Sequence, residues 1–508
     1  MYSLITRDLG WAAGAALAAA YVVTLGLLSP LTLQDYPAHL ESAVTMADLM
    51  FHGGARFGEM FSYHFLFVPY FLGDFGLTVL VEALGPRVGG GLWIAIVLLS
   101  LPCALLFFMR ITGVAAERRA LVFILSLYLA TDWFFLMGFL SFRLGLAVTI
   151  ANLALVTLLR NRWSTRWFVI YVALVVLGYL VHLTTIVFIG AAVGVSGLLR
   201  LWRRTGNLRT EALLVAPIAV LLAWHFGVVA GFTLPGDPIE SPYIWGTLHE
   251  KLVRLISEFV RFDWHADLPM LIGAAACVCL SAGRVRLRDL REPAVLEMLA
   301  LATMFVAMYI ALPMGYSEAW HVDVRALALV SVCVILACAN LPAGRSGSRA
   351  PGPAIAVVLA VALVASNLVY LERHLTRDEA WLAQYRTVVA AIPVGARVLP
   401  VYTDGAEGNI KPNLHANSFV AIDREGLMPY AFTADTANPE KYLRYVHEPY
   451  RPAEKWYVNH LEGSVDWRLV RRDYDYVLAT KPFQSQRIPL LTATAAENGS
   501  AVLLAIRK

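Results

Sequence analysis

The sequence predicts a polytopic α-helical membrane protein of about eleven transmembrane helices, with outer interfacial helices and a C-terminal soluble α/β domain. Three observations predict it. Charged residues make up only 15% of the 508 and hydrophobic residues 58%, whereas soluble domains carry about 25% charged residues. Apolar runs of bilayer length recur along the first 371 residues. Beyond residue 371 the composition turns polar, over a stretch of ordinary domain size.

The apolar runs lie near 9–29, 88–109, 119–136, 139–159, 167–182, 184–201, 211–231, 268–283, 294–312, 323–341 and 353–371. Arg7 precedes the first. That run is read as a signal anchor, not a cleaved leader, because the polar loop after it carries candidate chemistry. Basic residues set the orientation. One alternating set of loops holds Arg110, Arg118 and Arg119; Arg160, Arg162 and Arg166; Arg200, Arg203, Arg204 and Arg209; Arg284, Arg286, Arg288 and Arg291; Arg345 and Arg349. The opposite set holds fewer over longer loops: Arg56, Arg87, Arg143, Lys251, Arg254, Arg261 and Arg325. The N-terminus is therefore expected in the cytoplasm and the C-terminal domain on the far side of a bacterial-type cytoplasmic membrane.

Residues 61–85 are apolar enough to span, but a span there would put Arg110, Arg118 and Arg119 outside or Asp35 inside. Pro69, Gly73, Asp74 and Gly76 also suit a lipid-exposed helix poorly. The segment is read as an interfacial or re-entrant helix in an outer loop covering 31–87. Leu40, Val44, Ala47 and Phe51 have helical spacing and predict a second helix lying on the membrane surface. Leu248–Phe262 is amphipathic, with Leu252, Leu255, Ile256 and Phe259 on one face and Lys251, Arg254, Glu258 and Arg261 elsewhere. It too is expected on the surface.

Residues 1–371 thus form a transmembrane module and 372–508 an extracytoplasmic α/β domain, with a Gly/Ser/Pro/Arg linker at 343–352 in the module's last loop. Strand-like runs in the domain include Ala396–Tyr402, Ser418–Ile422, Tyr474–Ala479 and Ala501–Ile506. Asp404-Gly405, Glu425-Gly426 and Asn498-Gly499 mark turns between them. Helices are expected near 376–391 and 437–446.

The net charge of +4 is too small for a nucleic-acid binder. Cys103, Cys277, Cys279, Cys333 and Cys338 all fall in apolar runs, which predicts neither a disulfide framework nor a zinc site. No Walker loop, GxSxG, HExxH or GxGxxG in a strand–helix context occurs.

In this arrangement all 12 histidines fall on the outer side. Polar groups at a membrane face are expensive unless used, which points to a reaction centre there. The first outer loop reads Leu33-Gln34-Asp35-Tyr36-Pro37-Ala38-His39-Leu40-Glu41. An aspartate just past a span sits where the dielectric falls, which makes a carboxylate a better base. His39, four residues on, can face back toward it. The alternative is an ordinary helix start, with Asp35 as N-cap and Pro37 in the first turn.

Thr131-Asp132 stands at the outer end of a run, ahead of Trp133-Phe134-Phe135, and Arg143 lies inside the next. A buried arginine needs an anion, either Asp132 or a phosphate. His182 interrupts an apolar hairpin, either as a packed residue with one hydrogen bond or as a ligand. The loop Pro313–Arg325 carries Glu318, His321, Asp323 and Arg325, either as a solvated rim or as a site for a lipid-linked phosphate.

With Asp35 opening the first outer loop, His39 after it, Thr131-Asp132, and Pro69 ahead of a second interfacial helix and Arg87, the chain resembles the GT-C class of membrane glycosyltransferases. Protein O-mannosyltransferases and aminoarabinose-to-lipid A transferases belong to this class. The resemblance covers the layout of nearly the whole chain. It implies inverting transfer from a polyprenyl-phosphate sugar to a hydroxyl of a lipid, glycan or protein. Asp35 would be the general base and His39 and Asp132 substrate-positioning residues. Arg143, Arg325, His182 and His321 would serve the donor phosphate. A divalent metal is the alternative to Arg143 and Arg325 there, as in some members of the class, with His64 near the family's acidic position and His182 or His321 as the imidazole. Two features depart from the family. Tyr36 stands where a second acidic residue often follows the first aspartate, and a single Pro69 replaces Pro-Pro.

Two other classes compete. A lipid or polysaccharide transporter or flippase predicts internal repeats and charged or broken helices at mid-membrane, and the sequence has neither. A non-catalytic membrane scaffold predicts that Asp35 is dispensable.

Overall fold

The computed structural model describes residues 2–28, 32–65, 67–229, 243–257, 259–282, 285–316, 319–342, 352–401, 410–411, 414–429, 442–447, 449–450, 465–481 and 492–507. Glu258, Glu318, His460, Asp404-Gly405, residues 343–351 of the linker and residues 437–441 of an expected helix lie outside these.

The chain begins with α1 (Tyr2–Tyr21), α2 (Tyr36–Phe51), β1 (Phe61–Tyr63), α3 (Phe71–Ile111), α4 (Ala116–Ala130), α5 (Trp133–Leu136) and α6 (Leu140–Asn161). It continues through α7 (Thr165–Val181), α8 (Leu183–Trp202), α9 (Leu208–Trp224), α10 (Leu248–Ser257), α11 (Trp264–Ala282) and α12 (Pro293–Ala311). A two-residue hairpin pair, β2 (Gly315–Tyr316) and β3 (Ala319–Trp320), leads to α13 (Arg325–Ala339) and α14 (Gly352–Val389).

Eight of the described helices are long and apolar enough to cross a membrane: Asp8–Gly26, Phe71–Ile111, Leu140–Asn161, Leu183–Trp202, Leu208–Val228, Trp264–Ala282, Pro293–Ala311 and Gly352–Val389. Helices suit this solvent because they satisfy their own backbone groups. The other three expected runs form shorter helices: α4 and α13 have 15 residues each and α7 has 17. The run expected at 119–136 breaks because Thr131 ends α4 and the Asp132 side chain accepts from Phe135 N to start α5.

Residues 61–85 form no single helix. β1 comes first, and Phe71 starts α3, which breaks at Gly85 (φ 79, ψ 164) just ahead of Pro86. The stretch before the break is thus a separate helical segment from the run at 88–109. The surface reading of α2 needs correction. The helix is buried along nearly its whole length, including Ser42, Thr45 and Asp48. It packs against α3 on one side and the C-terminal domain on the other. α10 is held more firmly than a helix floating at a surface. The Lys251 ammonium is buried and donates to the carbonyls of Tyr309, Ile310 and Leu312, capping the C-terminal end of α12.

The C-terminal region holds β4 (Val398–Val401), α15 (Phe419–Arg424), β5 (Leu443–Tyr445), α16 (Trp467–Asp473), β6 (Tyr476–Thr480), β7 (Thr492–Glu497) and β8 (Ala501–Ile506). Four strands form one sheet in the order β4-β6-β8-β7. β4 and β6 are parallel and the other neighbours antiparallel. The helix expected near 376–391 is present, but as the second half of α14, which runs unbroken across residue 371 from the membrane module. Two sequence expectations fail here. Ser418–Ile422 is helical, since Ala416–Ser418 forms a 3-10 turn that leads into α15. Residues 443–445, expected as helix, form β5, which pairs antiparallel with β1 as Phe61↔Tyr445 and Tyr63↔Leu443.

That pairing joins the two regions. Tyr36, Leu40 and Phe61 share one buried cluster with Phe419, Val420, Tyr442 and Leu443. A separate, smaller core of Leu399, Val470, Tyr474, Val477 and Leu504 lies between the sheet and α16.

Candidate functional site

Asp35 lies where the first loop, the second loop (131–139, between α4 and α6) and the C-terminal domain meet. Gln34 N and Asp35 N donate to the carbonyls of Leu136 and Met137, each at 3.0 Å. This clamps the two loops backbone to backbone. Gly138 makes the close approach possible. It has φ +81, and a Cβ there would lie 2.8 Å from both Asp35 N and Tyr36 N.

Asp35 holds the N-cap position of α2 with Pro37 in the first turn, yet its side chain makes no capping hydrogen bond. The helix start read from the sequence is present, and the carboxylate is free of that duty. It is 7% exposed. His415 Nε2 stands 3.4 Å from Oδ1, and Gln34 Nε2 3.5 Å from the same oxygen. Among the described residues none reaches Oδ2.

His39 does not turn back to bond Asp35 as its spacing suggested. Its Nδ1 is 3.2 Å from Asp74 Oδ1 on α3. Burial lowers its basicity, but the Asp74 hydrogen bond, the Asp74 charge and the Asp35 charge outweigh that and raise its pKa above the usual range. The second Asp74 oxygen accepts from the Tyr442 hydroxyl of the C-terminal domain.

Glu41, on the same helix, is buried, and its Oε2 has no hydrogen-bond partner among the described residues. Burial pushes its carboxyl up to about 8, against a hydrogen bond from Ser418 that lowers it. Such a group is protonated in the folded chain while the unfolded chain ionises near 4.5. Its contribution is therefore complete below about pH 4.5 and is lost as the pH rises to about 8. Glu41→Gln is expected to raise the thermal midpoint above that of the wild type. The gap should open between these pH values and level off above them; thermal unfolding across the pH series checks this.

The second loop supplies the next layer. Asp132 caps α5 and accepts from Arg143 NH1 at 2.7 Å, and Arg143 NH2 reaches the Leu129 carbonyl. Of the two anions open to Arg143, the structure supplies Asp132. The pair sets the path of the Trp133–Gly138 loop. Thr131, one residue earlier, is tied down by Asn367 Nδ2 at 3.1 Å, while Arg261 donates to the Thr131 carbonyl.

A basic and aromatic cluster lines the same face. His182 Nε2 is 3.2 Å from Arg325 NH1, and its Nδ1 meets the Thr184 backbone and hydroxyl. It makes more than the single bond of a packed residue. Its ring lies edge-on to Tyr70 at 4.6 Å. The Arg325 guanidinium stands over Phe139 at 5.3 Å and Phe142 at 5.7 Å. His321, at φ +63, lies 4.7 Å from the Trp133 ring and 2.7 Å from Arg254 NH2. Arg254 and Lys251 flank Asp323 at 3.5 and 3.6 Å. His321 and Asp323 of the 313–325 loop are thus built into α10 and the second loop, not left on a solvated rim.

His64 is exposed and contacts Ser62 beside β1. Among the described residues no group of three or more His, Cys, Asp or Glu side chains could hold a metal ion. Neither His64 nor His182 belongs to such a group among the described residues. The five cysteines are all free.

Sequence reasoning found Asp35, His39, Asp132, Arg143, His182, His321 and Arg325 on this face. It missed the roles of Asp74 and Gly138, and it missed His415, Tyr442 and Glu41. The signal in the sequence was local, whereas these residues meet Asp35 or α2 only through the fold.

No protein-family model matches the chain, and no curated protein matches it in sequence. Solved structures do. The chain is 13% identical to ArnT from Cupriavidus metallidurans in its apo crystal structure, over 97% of each chain, with a TM-score of 0.54. A second crystal structure, of that ArnT bound to undecaprenyl phosphate, matches at 13% identity over 97% of each chain, with a TM-score of 0.53. The chain has the ArnT-type GT-C fold, a helical membrane module followed by a small sheet region, as the resemblance implied.

Proposed function

We propose that this integral membrane protein is a glycosyltransferase that moves a sugar from a polyprenyl-phosphate donor to an acceptor hydroxyl, with Asp35 as general base. The observation that carries the reading is the Asp35 carboxylate, buried at a helix start without capping it, with the nitrogens of His415 and Gln34 both on Oδ1. The ArnT fold, seen with undecaprenyl phosphate in one solved structure, supports a lipid-linked donor. The basic loops described above support an extracytoplasmic position for the Asp35 face.

In the reaction, Asp35 Oδ2 takes the proton of the acceptor hydroxyl. The oxygen attacks the anomeric carbon from the face opposite the phosphate. The bond from that carbon to the phosphate oxygen breaks, the electron pair leaves with polyprenyl phosphate, and configuration inverts. Arg325, with His182 beside it and His321–Arg254 nearby, neutralises the departing phosphate. Trp133, Phe139, Phe142 and Tyr70 give the apolar wall along which a prenyl chain and sugar ring can lie. Asp132 and Arg143 hold the loop that carries this wall.

Membranes bearing the full chain, incubated with a panel of labelled polyprenyl-phosphate sugars, test the reading. Label is expected in a lipid, glycan or protein product, with polyprenyl phosphate released. Donors bound but never cleaved, or carried across the bilayer intact, would return the protein to the flippase reading.

A further inference from the structure

We infer that His415 is the positioning residue of the Asp35 carboxylate, so that the C-terminal domain completes the reaction site as well as covering it. This rests on the proposed transfer reaction and adds a residue from a distant part of the chain.

A buried carboxylate needs donors. Asp35 has two nearby, His415 Nε2 and Gln34 Nε2, and both reach Oδ1. Donors on one oxygen hold the carboxylate from one side and leave the other oxygen without a hydrogen-bond partner among the described residues. That is the arrangement a base needs if only one lone pair is to meet the acceptor hydroxyl.

His415 is 5% exposed and sits on the turn leading into the Ala416–Ser418 helix. That turn is anchored on both sides. Lys411 N donates to Gln34 Oε1 at 2.7 Å, which also orients the Gln34 amide toward Asp35. Ser418 contacts Glu41 on α2 and bonds back to the His415 carbonyl at 3.0 Å. Further out, β1 pairs with β5, and Tyr442 donates to Asp74, the carboxylate that holds His39. Two carboxylates of the membrane module, Asp35 and Asp74, are each met by a side chain of the C-terminal domain.

The imidazole approaches Asp35 at 3.4 Å, longer than a closed hydrogen bond. Such contacts commonly tighten when substrate fills the site. His415 touches the base and not the reacting atoms, so it acts through Asp35.

The test uses the full chain in membranes and four variants, measured for transfer from a labelled polyprenyl-phosphate sugar. His415→Ala is expected to lower kcat about a hundredfold, the scale of a misplaced catalytic group, with KM little changed. His415→Gln keeps a nitrogen donor near the same place and is expected to recover most of the loss. Imidazole added to His415→Ala is expected to restore part of it. In Asp35→Asn, adding His415→Ala is expected to cost nothing further, because the two act as one unit.

Full kcat in His415→Ala would overturn the inference. So would a loss that neither Gln nor imidazole recovers and that comes with a lower thermal midpoint, since the histidine would then serve docking alone. Should Asp35→Asn be inactive while His415→Ala is normal, only the inference falls. Should Asp35→Asn be fully active, the proposed reaction itself falls.

Discussion

Asp35→Asn is expected to lower sugar transfer by about a hundredfold to ten-thousandfold, the range that general-base catalysis contributes, with little loss of stability. Ordinarily an aspartate at an N-cap position is a structural residue, and its loss costs roughly 1 kcal/mol through the helix end. Here the side chain makes no capping bond, so nothing of that kind is removed. Asparagine has the same shape and can accept from His415 and Gln34 through its own oxygen. It lacks only the basic lone pair. Activity and stability should therefore separate, and a matched measurement of turnover and thermal midpoint checks both.

Gly138→Val is expected to remove activity and to cost about 3 kcal/mol of stability or more. Two effects combine. The backbone at φ +81 disfavours any side chain, and a β-branched one most. The new Cβ would also press on the amides of Asp35 and Tyr36, where no flexible side chain can yield. The hydrogen bonds from Gln34 and Asp35 to Leu136 and Met137 would open, and the base would shift relative to Arg325 and Trp133. Gly113 provides the control. It has φ +76 with nothing within 4 Å of its Cβ position. Gly113→Val should cost backbone strain of about 1–3 kcal/mol and leave KM and kcat alone. A comparison of the two variants in unfolding and transfer assays isolates the loop clamp.

The membrane helices were legible because length and hydropathy act locally. A run such as 139–159 announces itself whatever surrounds it, and α6 follows it closely. Asp132 was legible for the same reason as one of two anions open to Arg143, since the two lie eleven residues apart on adjoining elements. α2 was misread because its spacing of Leu40, Val44, Ala47 and Phe51 shows one apolar face, while its polar face is buried by residues near 418. Nothing in a window around residue 40 reports that cover. The strand β5 was misread likewise, as its partner β1 lies near residue 62.

The site divides along the same line. Asp35, His182 and Arg325 stood out as polar groups at the ends of apolar runs. Asp74 was seen only as poor company for a lipid-facing helix, yet it holds His39 from 35 residues away and meets Tyr442 across 368. His415 carries no motif at all. A long-range partner of this kind is set by the docking of a whole domain, and only the fold reveals it.

In the proposed reaction the Asp35 face cleaves a polyprenyl-phosphate sugar and passes the sugar on. The most direct measurement counts polyprenyl phosphate released against sugar transferred, in membranes bearing the wild-type chain and a matched donor. The two are expected to rise together in equal amounts. Sugar-lipid that stays intact while it is bound or moved across the bilayer would contradict the proposed reaction.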